Sequence, residues 1–289
     1  MRRLVSCFLA VLMFLCLFGC EKDKKPDLQP EIFTFDVGQG SSTLIRTRDG
    51  DILVDAGSDL SQPSLCRRLR ALGVDRLEFL ILTHPDGDHI GGADGILEQF
   101  DVLSVWTNGA VDENDSYKRL TESLQKSGLT PTVAKAGDGF ALGGLHVTVL
   151  APLSETVTDD NEGSLVLLLR CDHFGGLIMG DVSEQTEQAM IEEYGITHLD
   201  IDVLWVGHHG SGNASSTAFL ETISPQYAII SCGAGNTYGH PDGRTLARLE
   251  SAGAEVLRTD LLGEIRMEIY ENKICLADDQ ADENKGANR

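Results

Sequence analysis

The stretch His84-Pro85-Asp86-Gly87-Asp88-His89 contains four potential metal ligands, two imidazoles and two carboxylates. It directly follows the apolar run of residues 77–82, which has the length and composition of a buried strand. A buried strand that ends in ligand side chains holds them rigidly at the edge of a core. The sequence therefore predicts a metal site at this strand end, and the alternative is a polar loop that caps a helix.

The spacing of these ligands suggests how they divide between two ions. In an extended chain alternate side chains share a face, so His84, Asp86 and Asp88 point the same way. A turn at Gly87 then brings His89 beside them. We expect His84 and Asp86 to hold one ion. Asp88 and His89 are expected to hold a second.

Two downstream segments repeat this arrangement of an apolar run that ends in ligand-type residues. Asp181 follows the run of residues 176–180, and a carboxylate there has two oxygens with which to bridge two cations. The pair His208-His209 follows the apolar residues 203–206 and lies between two glycines. Together with the first cluster, these residues predict a two-metal hydrolase.

The composition indicates an ordinary globular protein that is strongly acidic. The chain has 289 residues, 42% of them hydrophobic, and a net charge of −22 at pH 7. Such a charge disfavours non-specific attraction to nucleic acid or to anionic lipid. Seven cysteines are present without a closely spaced pair of the kind that binds zinc, so buried thiols are the simplest interpretation.

The first residues have the pattern of an export signal. Arg2 and Arg3 precede an apolar run that ends near residue 18, too short to span a bilayer comfortably. The run leads into Leu17-Phe18-Gly19-Cys20, which resembles the lipobox of bacterial lipoproteins. That resemblance implies a signal peptide over residues 1–19, a lipidated Cys20, a charged tether over 20–30 and a protein held at the extracytoplasmic face of the cell membrane. A plain membrane-anchor helix is the alternative.

The remaining pattern alternates strands and helices. Strand-like runs at 32–37, 43–48 and 51–54 precede the ligand stretch, and a second strand-rich block extends from about residue 147 to 269. Helices are expected around residues 63–72, 92–100, 116–126, 184–194, 216–223 and 243–252. The pattern favours one α/β domain, residues 31–276, with two sheets between helical layers. The acidic tail 277–289 is expected to be disordered.

The motifs resemble those of a known family. Thr83-His84-Pro85-Asp86-Gly87-Asp88-His89 resembles the HxDxDH signature of the metallo-β-lactamase superfamily. Asp36-Val37-Gly38-Gln39-Gly40, His208-His209-Gly210-Ser211 and Tyr238-Gly239-His240-Pro241 are similar to the extracellular hydrolase domain of ComEC-like competence proteins and to its free-standing relatives. The resemblance implies an αββα four-layer sandwich with the metals at one edge of the sheets.

The resemblance also implies roles for individual residues. It places His84 and Asp86 at the first metal and Asp181 between the two metals. The second metal would be held by Asp88, His89 and His209, and turnover would depend on Asp88. His208 would then face the substrate as a general acid or a donor, and Asp55 would support the ligand loop from behind.

One part of the motif departs from many superfamily members, which supply a further histidine before the strand at 165–169. Here Asn161 matches the asparagine of the competence-related branch, so the first metal site is short of a ligand that water or Asp160 would complete. His240 is either a substrate contact or simply part of a turn. The ligand set suits Zn²⁺ or Mn²⁺ and does not separate them.

The expected function is hydrolysis of a phosphoester or phosphodiester by metal-activated water, with a link to DNA uptake by analogy and no expected general affinity for nucleic acid. A non-catalytic metal-binding surface lipoprotein is one alternative. A carboxylic ester or lactone hydrolase of the same fold is another.

Overall fold

The computed structural model describes residues 30–153, 161–195, 199–270 and 273–276. The predicted signal peptide, Cys20, nearly all of the tether, Asp160 and the acidic tail lie outside these ranges. Among the helices inside them, none has the length and apolar character that crossing a bilayer requires.

Within the described ranges, one sheet is built mainly from the first half of the chain. Its strands are β1 (Glu31–Thr34), β2 (Thr43–Thr47), β3 (Gly50–Val54), β5 (Phe79–Leu82), β7 (Val105–Thr107), β8 (Thr132–Val133), β16 (Ile265–Tyr270) and β17 (Lys273–Leu276). They lie in the order β17-β16-β1-β2-β3-β5-β7-β8. The strands from β3 to β8 run parallel to one another.

The other large sheet comes from the middle and later parts of the chain. Its strands are β9 (Gly139–Leu142), β10 (Leu145–Ala151), β11 (Val166–Cys171), β12 (Phe174–Ile178), β13 (Val203–Trp205), β14 (Tyr227–Ile230) and β15 (Glu255–Arg258). They lie in the order β15-β14-β13-β12-β11-β10-β9, and β12 to β15 are parallel. A short pair, β4 (Arg76–Leu77) with β6 (Asp101–Val102), accompanies the first sheet.

The helices cover the outer faces of the two sheets. They are α1 (Gln62–Ala71), α2 (Gly87–Ile90), α3 (Ala93–Gln99), α4 (Asp115–Ser127), α5 (Glu184–Tyr194), α6 (Thr217–Ile223), α7 (Gly243–Ser251) and α8 (Thr259–Leu262). Asn114, Ser183, Ser216 and Asp242 cap α4 to α7 respectively by accepting a hydrogen bond from a backbone N–H of the first turn.

Three separate groups of buried side chains show four layers. In β3, Ile52 and Val54 face the second sheet, whereas Leu53 faces the helices on the first sheet's outer side. In β13, Val203 belongs to the group between the sheets, and Leu204 packs under α5 and α6. Because both faces of these strands are buried, their sequences are continuously apolar rather than alternating. The layers confirm the predicted αββα sandwich.

One local prediction differs from the structure. The ligand stretch is extended only as far as Asp86, and α2 begins at Gly87. Because Asp88 lies in a helical turn and not in an extended chain, the side chains of His84, Asp86 and Asp88 do not share one strand face.

Candidate metal centre

The predicted ligands meet at one edge of the sandwich. His84 follows β5, Asp181 follows β12, and His209 follows β13 in a tight turn over Gly207–Gly210. Within each sheet these strands run parallel to their neighbours, and the 3.9 Å between His84 Nε2 and Asp181 Oδ2 shows that the carboxyl ends of the two sets of strands adjoin. Ligands from both sheets therefore converge on one place.

A buried carboxylate behind the cluster fixes two of the histidines. Asp55, which is 1% exposed, accepts hydrogen bonds from the Thr83 backbone N–H at 2.8 Å and from the Thr83 hydroxyl at 2.9 Å. Its Oδ2 also lies 2.7 Å from His89 Nδ1. The Thr83 hydroxyl lies 3.0 Å from His84 Nδ1. Since that hydroxyl has one proton and gives it to Asp55, it accepts from His84 Nδ1–H, which leaves the His84 Nε2 lone pair facing the site.

The buried His209 is oriented in the same way from the other sheet. Its Nδ1 lies 2.8 Å from the backbone carbonyl of Ser231, just after β14. A carbonyl only accepts, so this nitrogen carries a hydrogen and the Nε2 atom points into the cluster. His208 and His209 both have positive φ, 51° and 54°, a left-handed backbone conformation that non-glycine residues adopt uncommonly.

The Nε2 atoms of His89 and His209 face each other at 3.2 Å. With both Nδ1 atoms donating outwards, the two neutral rings would present lone pairs to each other. His84 Nε2 is also buried without a hydrogen-bond partner. Three buried nitrogen lone pairs around one space suit a bound cation. Without a cation, lone pairs buried this close to one another would be unfavourable.

Asp181 lies at the centre of the cluster. Its Oδ1 is 3.1 Å from His89 Nε2, and its Oδ2 is 3.5 Å from His209 Nε2 and 3.9 Å from His84 Nε2. Burial raises the pKa of Asp181, but the neighbouring imidazoles of His209 and His89 outweigh it and hold that pKa well below its usual value. The Ser164 hydroxyl accepts from the Asp181 backbone N–H at 3.1 Å and holds the loop in place.

The neighbouring carboxylates raise the pKa values of two of the histidines. Burial lowers the pKa of His89, but Asp181 and Asp55 overcome this and hold it well above the usual value. The pKa of His209 is also raised, since Asp181 and Asp88 outweigh the effect of burial. The cluster therefore attracts cations, whether protons or metal ions.

The two aspartates of the ligand stretch lie on opposite sides of this centre. Asp88 Oδ2 is 3.2 Å from His209 Nε2, and Asp86 Oδ2 is 3.7 Å from His84 Nε2. Burial raises the pKa of Asp88, but its hydrogen bond with His209 and the charge of His89 lower it overall. Among the residues that the structure describes, two sets of ligand atoms are each compact enough for one ion: His84 with His89 and Asp181, and Asp88 with His89 and His209. His89 belongs to both sets, a sharing that the sequence did not predict.

Glycines allow the backbone to close around this loop. A Cβ on Gly40, whose φ is +140°, would lie 2.3 Å from the backbone oxygen of Asp88. Ser41 N–H donates to that same oxygen at 3.1 Å. The Asp36–Gly40 motif therefore acts as a support against which the ligand loop rests.

His208 and His240 lie beside the ligand cluster. His208 Nε2 is 3.9 Å from Asp181 Oδ2, and its side chain is 25% exposed, unlike the buried ring of His209. The His240 ring is 5.5 Å from the His208 ring, and its backbone N–H donates to the side chain of Asn236. Burial, together with the charges of His208 and His209, lowers the pKa of His240. His240 therefore lies in the turn that precedes α7, and this turn is next to the ligand cluster.

Asn161 lies in the turn before β11, where its backbone carbonyl accepts from Ser164 N–H at 2.9 Å. Its neighbour Glu162 accepts from Ser183 N–H at the start of α5. This turn leads directly to Ser164 and so adjoins the Asp181 loop.

Sequence reasoning missed three supporting groups: the Thr83 hydroxyl, the Ser164 hydroxyl and the Ser231 carbonyl. The role of Thr83 could have been predicted, because a hydroxyl at the end of a buried strand and next to a ligand needs a hydrogen-bond partner. The role of Ser231 could not, since any residue type offers the same carbonyl.

The four-layer fold and this cluster of candidate ligands are typical of metallo-hydrolases. The profile of the metallo-beta-lactamase superfamily matches residues 35–234, and the chain belongs to that family. Proteins of this family bind divalent metal ions. The buried imidazoles described above, whose Nδ1 atoms are hydrogen-bonded away from the cluster, fit such ions.

Two curated relatives make the comparison more specific. The chain is 32% identical over 263 residues to ComE operon protein 3 of Bacillus subtilis, an alignment that covers 84% of this chain and 33% of the relative. It is 30% identical over 260 residues to competence protein ComA of Neisseria gonorrhoeae, which covers 89% of this chain and 35% of the relative. The chain therefore spans about a third of the length of these relatives.

A solved structure supports the fold independently. The metallo-beta-lactamase fold protein YhfI from Bacillus subtilis superposes with a TM-score of 0.52 at 14% identity, covering 80% of this chain and 96% of YhfI.

Proposed function

We propose that the protein hydrolyses a phosphoester or phosphodiester at this centre. The observation that supports this most directly is the different placement of the two adjacent histidines. His209 is buried among the ligands, whereas His208 is partly exposed and directs Nε2 towards the same Asp181 oxygen.

The ligand groups fit two divalent ions. His84 and Asp86 would hold the first, Asp88, His89 and His209 the second, and Asp181 would bridge them, with Zn²⁺ and Mn²⁺ both compatible with these donors. Ions at such a site would make water acidic enough to attack at neutral pH and would polarise the phosphoryl group. The protein itself holds His89 and His209 through hydrogen bonds to Asp55 and to the Ser231 carbonyl. These bonds keep the Nε2 lone pairs of both rings facing the cluster.

His208 is suited to act on the substrate. Its Nε2 lies at the exposed side of the cluster, within reach of a group bound against Asp181, where it would donate a hydrogen bond to a phosphoryl oxygen or a proton to the leaving group. His240, beside it, limits how that ring can turn. Neither residue belongs to the two compact ligand sets.

Hydrolysis of bis(p-nitrophenyl) phosphate, p-nitrophenyl phosphate and p-nitrophenyl acetate by metal-loaded protein tests the proposal. We expect the phosphodiester or the monoester to be the better substrate, activity to vanish on chelation, and Asp88→Ala to abolish it. His208→Gln should lower kcat about 100-fold while metal content stays unchanged. His146→Gln, at an exposed position of β10, is the matched control.

Three results would contradict the proposal. A metal-loaded protein without turnover would favour the non-catalytic metal-binding alternative. Preferential cleavage of the acetate or of a lactone would favour an ester or lactone hydrolase. Full activity of Asp88→Ala would mean that the reaction takes place elsewhere.

The relatives named for competence suggest a setting for the activity. We propose that this chain, like the hydrolase domain it resembles, acts outside the cytoplasm, anchored through Cys20, on a phosphodiester encountered there. A net charge of −22 gives the surface no general attraction for DNA. Cleavage of a single-stranded oligonucleotide, compared with that of the small diester at several salt concentrations, tests whether DNA is the substrate, and labelling with radioactive palmitate tests Cys20.

A further inference from the structure

A cavity of about 210 Å³ lies beside His84, between the ends of β5 and β7 and helix α4. It is distinct from the ligand cluster, although His84 contributes to both. Its lining residues are Leu82, His84, Pro85, Ile90, Thr107, Asn108, Gly109, Ala110, Tyr117, Leu120, Thr121, Leu124, Pro131 and Val133.

The wall of this cavity is fixed by hydrogen bonds. The Asn108 side chain donates to the Gly163 carbonyl at 3.0 Å and accepts from Ala110 N–H at 3.1 Å. The Asn114 side chain donates to the Pro85 carbonyl at 2.9 Å, and Asn114 also caps α4. The loop between β7 and α4 is therefore tied both to the ligand stretch and to the turn before β11.

The described lining is uncharged, although the protein as a whole is strongly acidic. Among the residues that the structure describes, no Asp, Glu, Lys or Arg lines the cavity, while the net charge of the chain is −22. Of its hydroxyls, Thr121 already donates to the Tyr117 carbonyl at 2.9 Å. A charged occupant would lose its hydration here without gaining an ion pair, so an uncharged and mainly apolar group is favoured.

The size limits the occupant further. Pockets that enclose a whole drug-sized molecule have about 300 to 1,000 Å³. A cavity of about 210 Å³ suits a single ring. The ring of Tyr117 offers an aromatic surface for it.

We infer that this cavity binds an uncharged aromatic substituent of the phosphoester while the phosphoryl group lies at the metal centre. The inference rests on the proposed function, because it takes the phosphoryl group to lie at the ligand cluster; His84 both lines the cavity and belongs to that cluster. The site is therefore selective for aryl over small alkyl esters. The selectivity comes from the cavity and not from the metal ligands.

Phenylphosphonate and ethylphosphonate test this inference, because they carry the same charged group and differ only in the ring. Their affinities for metal-loaded protein are measured by calorimetry, and their inhibition of phosphodiester hydrolysis is measured in parallel. We expect phenylphosphonate to bind about tenfold more tightly, as burial of one ring would give.

A matched pair of variants locates the effect. Ala110→Phe fills the cavity from its own wall and should remove the preference for phenylphosphonate. Val111→Phe, at the next position, is 75% exposed and outside the lining, so the preference should survive. Thermal unfolding of both variants verifies that each is folded. Amide chemical shifts of Gly109 and Ala110 should respond to phenylphosphonate and not to ethylphosphonate.

The outcomes separate the two proposals. Equal affinities of the wild-type protein for the two phosphonates, or a preference that persists in Ala110→Phe, would overturn the cavity assignment even if phosphodiesters are hydrolysed. A cavity-dependent preference in a protein that hydrolyses no phosphoester would reject the proposed function and leave the aromatic site standing.

Discussion

At the scale of single residues, the centre is governed by how its imidazoles are held. His89 and His209 each give Nδ1–H to an acceptor outside the cluster and turn Nε2 inward. The inward nitrogens bind either a proton or a metal ion, so the two compete.

This competition predicts how metal affinity depends on pH. The pKa values of His89 and His209 are raised, so in metal-free protein these rings retain protons above the ordinary value of about 6.5. Affinity for Zn²⁺ should therefore rise with pH above that value and level off only beyond the raised pKa values. The lowered pKa values of Asp88 and Asp181 keep both carboxylates ionised throughout this window.

Competition titrations with a chromophoric chelator across this range measure the effect, and calorimetry in buffers of different ionisation enthalpy counts the released protons. His146→Gln should show the wild-type profile. A profile that is flat above about pH 6.5 would contradict the assignment of these rings as ligands.

Thr83 gives a second prediction at this scale. Thr83→Val removes the hydroxyl that joins Asp55 to His84 but keeps the shape and the backbone N–H. We expect metal affinity to fall about 10- to 100-fold, as when other groups that orient ligands are lost. Thr83→Ser, which keeps the hydroxyl, should stay close to wild type.

The same variants separate orientation from folding. The ¹⁵N shifts of the His84 ring report its tautomer, which should become mixed in Thr83→Val while the thermal transition stays cooperative. An unchanged tautomer in that variant would mean that the hydroxyl does not orient His84.

At the scale of elements, the loops around the ligands depend on close backbone approach. Gly40→Ala would place a Cβ 2.3 Å from the Asp88 carbonyl oxygen, and a backbone atom cannot move away cheaply. We expect a loss of stability of about 1–3 kcal/mol and weaker metal binding, since Asp88 must shift. Urea unfolding and metal titration measure the two effects.

Gly38→Ala is the matched control for that change. Gly38 also has positive φ, +72°, but no atom within 4 Å of its Cβ position. It therefore carries the backbone strain without the collision. If both variants lose metal affinity equally, the support role of Gly40 is wrong.

Much of the arrangement of strands and helices was predictable from sequence. Apolar runs ending in His84, Asp181 and His209 located three strands and the edge at which they meet, because strand ends and ligands coincide in the chain. Predicted helices at 184–194 and 243–252 match α5 and α7 within one residue. Capping and periodicity are local signals, which explains that success.

Other features depended on contacts that sequence does not carry. The short strands β8 and β9 lack a distinctive pattern because they lie at sheet edges and are partly exposed. The helical turn of α2 arises where the backbone oxygen of Asp88 meets Ser41 N–H. Ser231 supports His209 through a backbone atom, which no residue type reveals.

At the scale of the whole molecule, the metal centre joins the two sheets. His84, Asp86, Asp88 and His89 come from the first sheet, and Asp181 and His209 come from the second. The sheets are already held by a shared apolar core and by a hydrogen bond of 2.8 Å from Trp205 Nε1 to the Thr34 hydroxyl. Metal binding adds a further link at the open edge.

This link predicts that metal stabilises the whole fold. Free metal at a hundredfold excess over Kd should add about 2.7 kcal/mol to the free energy of unfolding. Stripped protein should therefore unfold at a lower temperature, most clearly as the pH rises from about 6.5 towards the raised pKa values of His89 and His209, because the stabilisation that their protons give the metal-free fold is lost across that range. Calorimetric scans with and without Zn²⁺ or Mn²⁺ measure this. A transition temperature independent of metal concentration would contradict it.

The division of the ligands between the sheets also sets an order of events during biogenesis. The residues before 134 supply one side of the centre and the residues after 138 supply the other, so neither portion alone offers a complete coordination sphere. A chain that has not yet formed both sheets would therefore hold metal ions only weakly. Tight metal binding would require that the two sheets of the sandwich have assembled around the ligands.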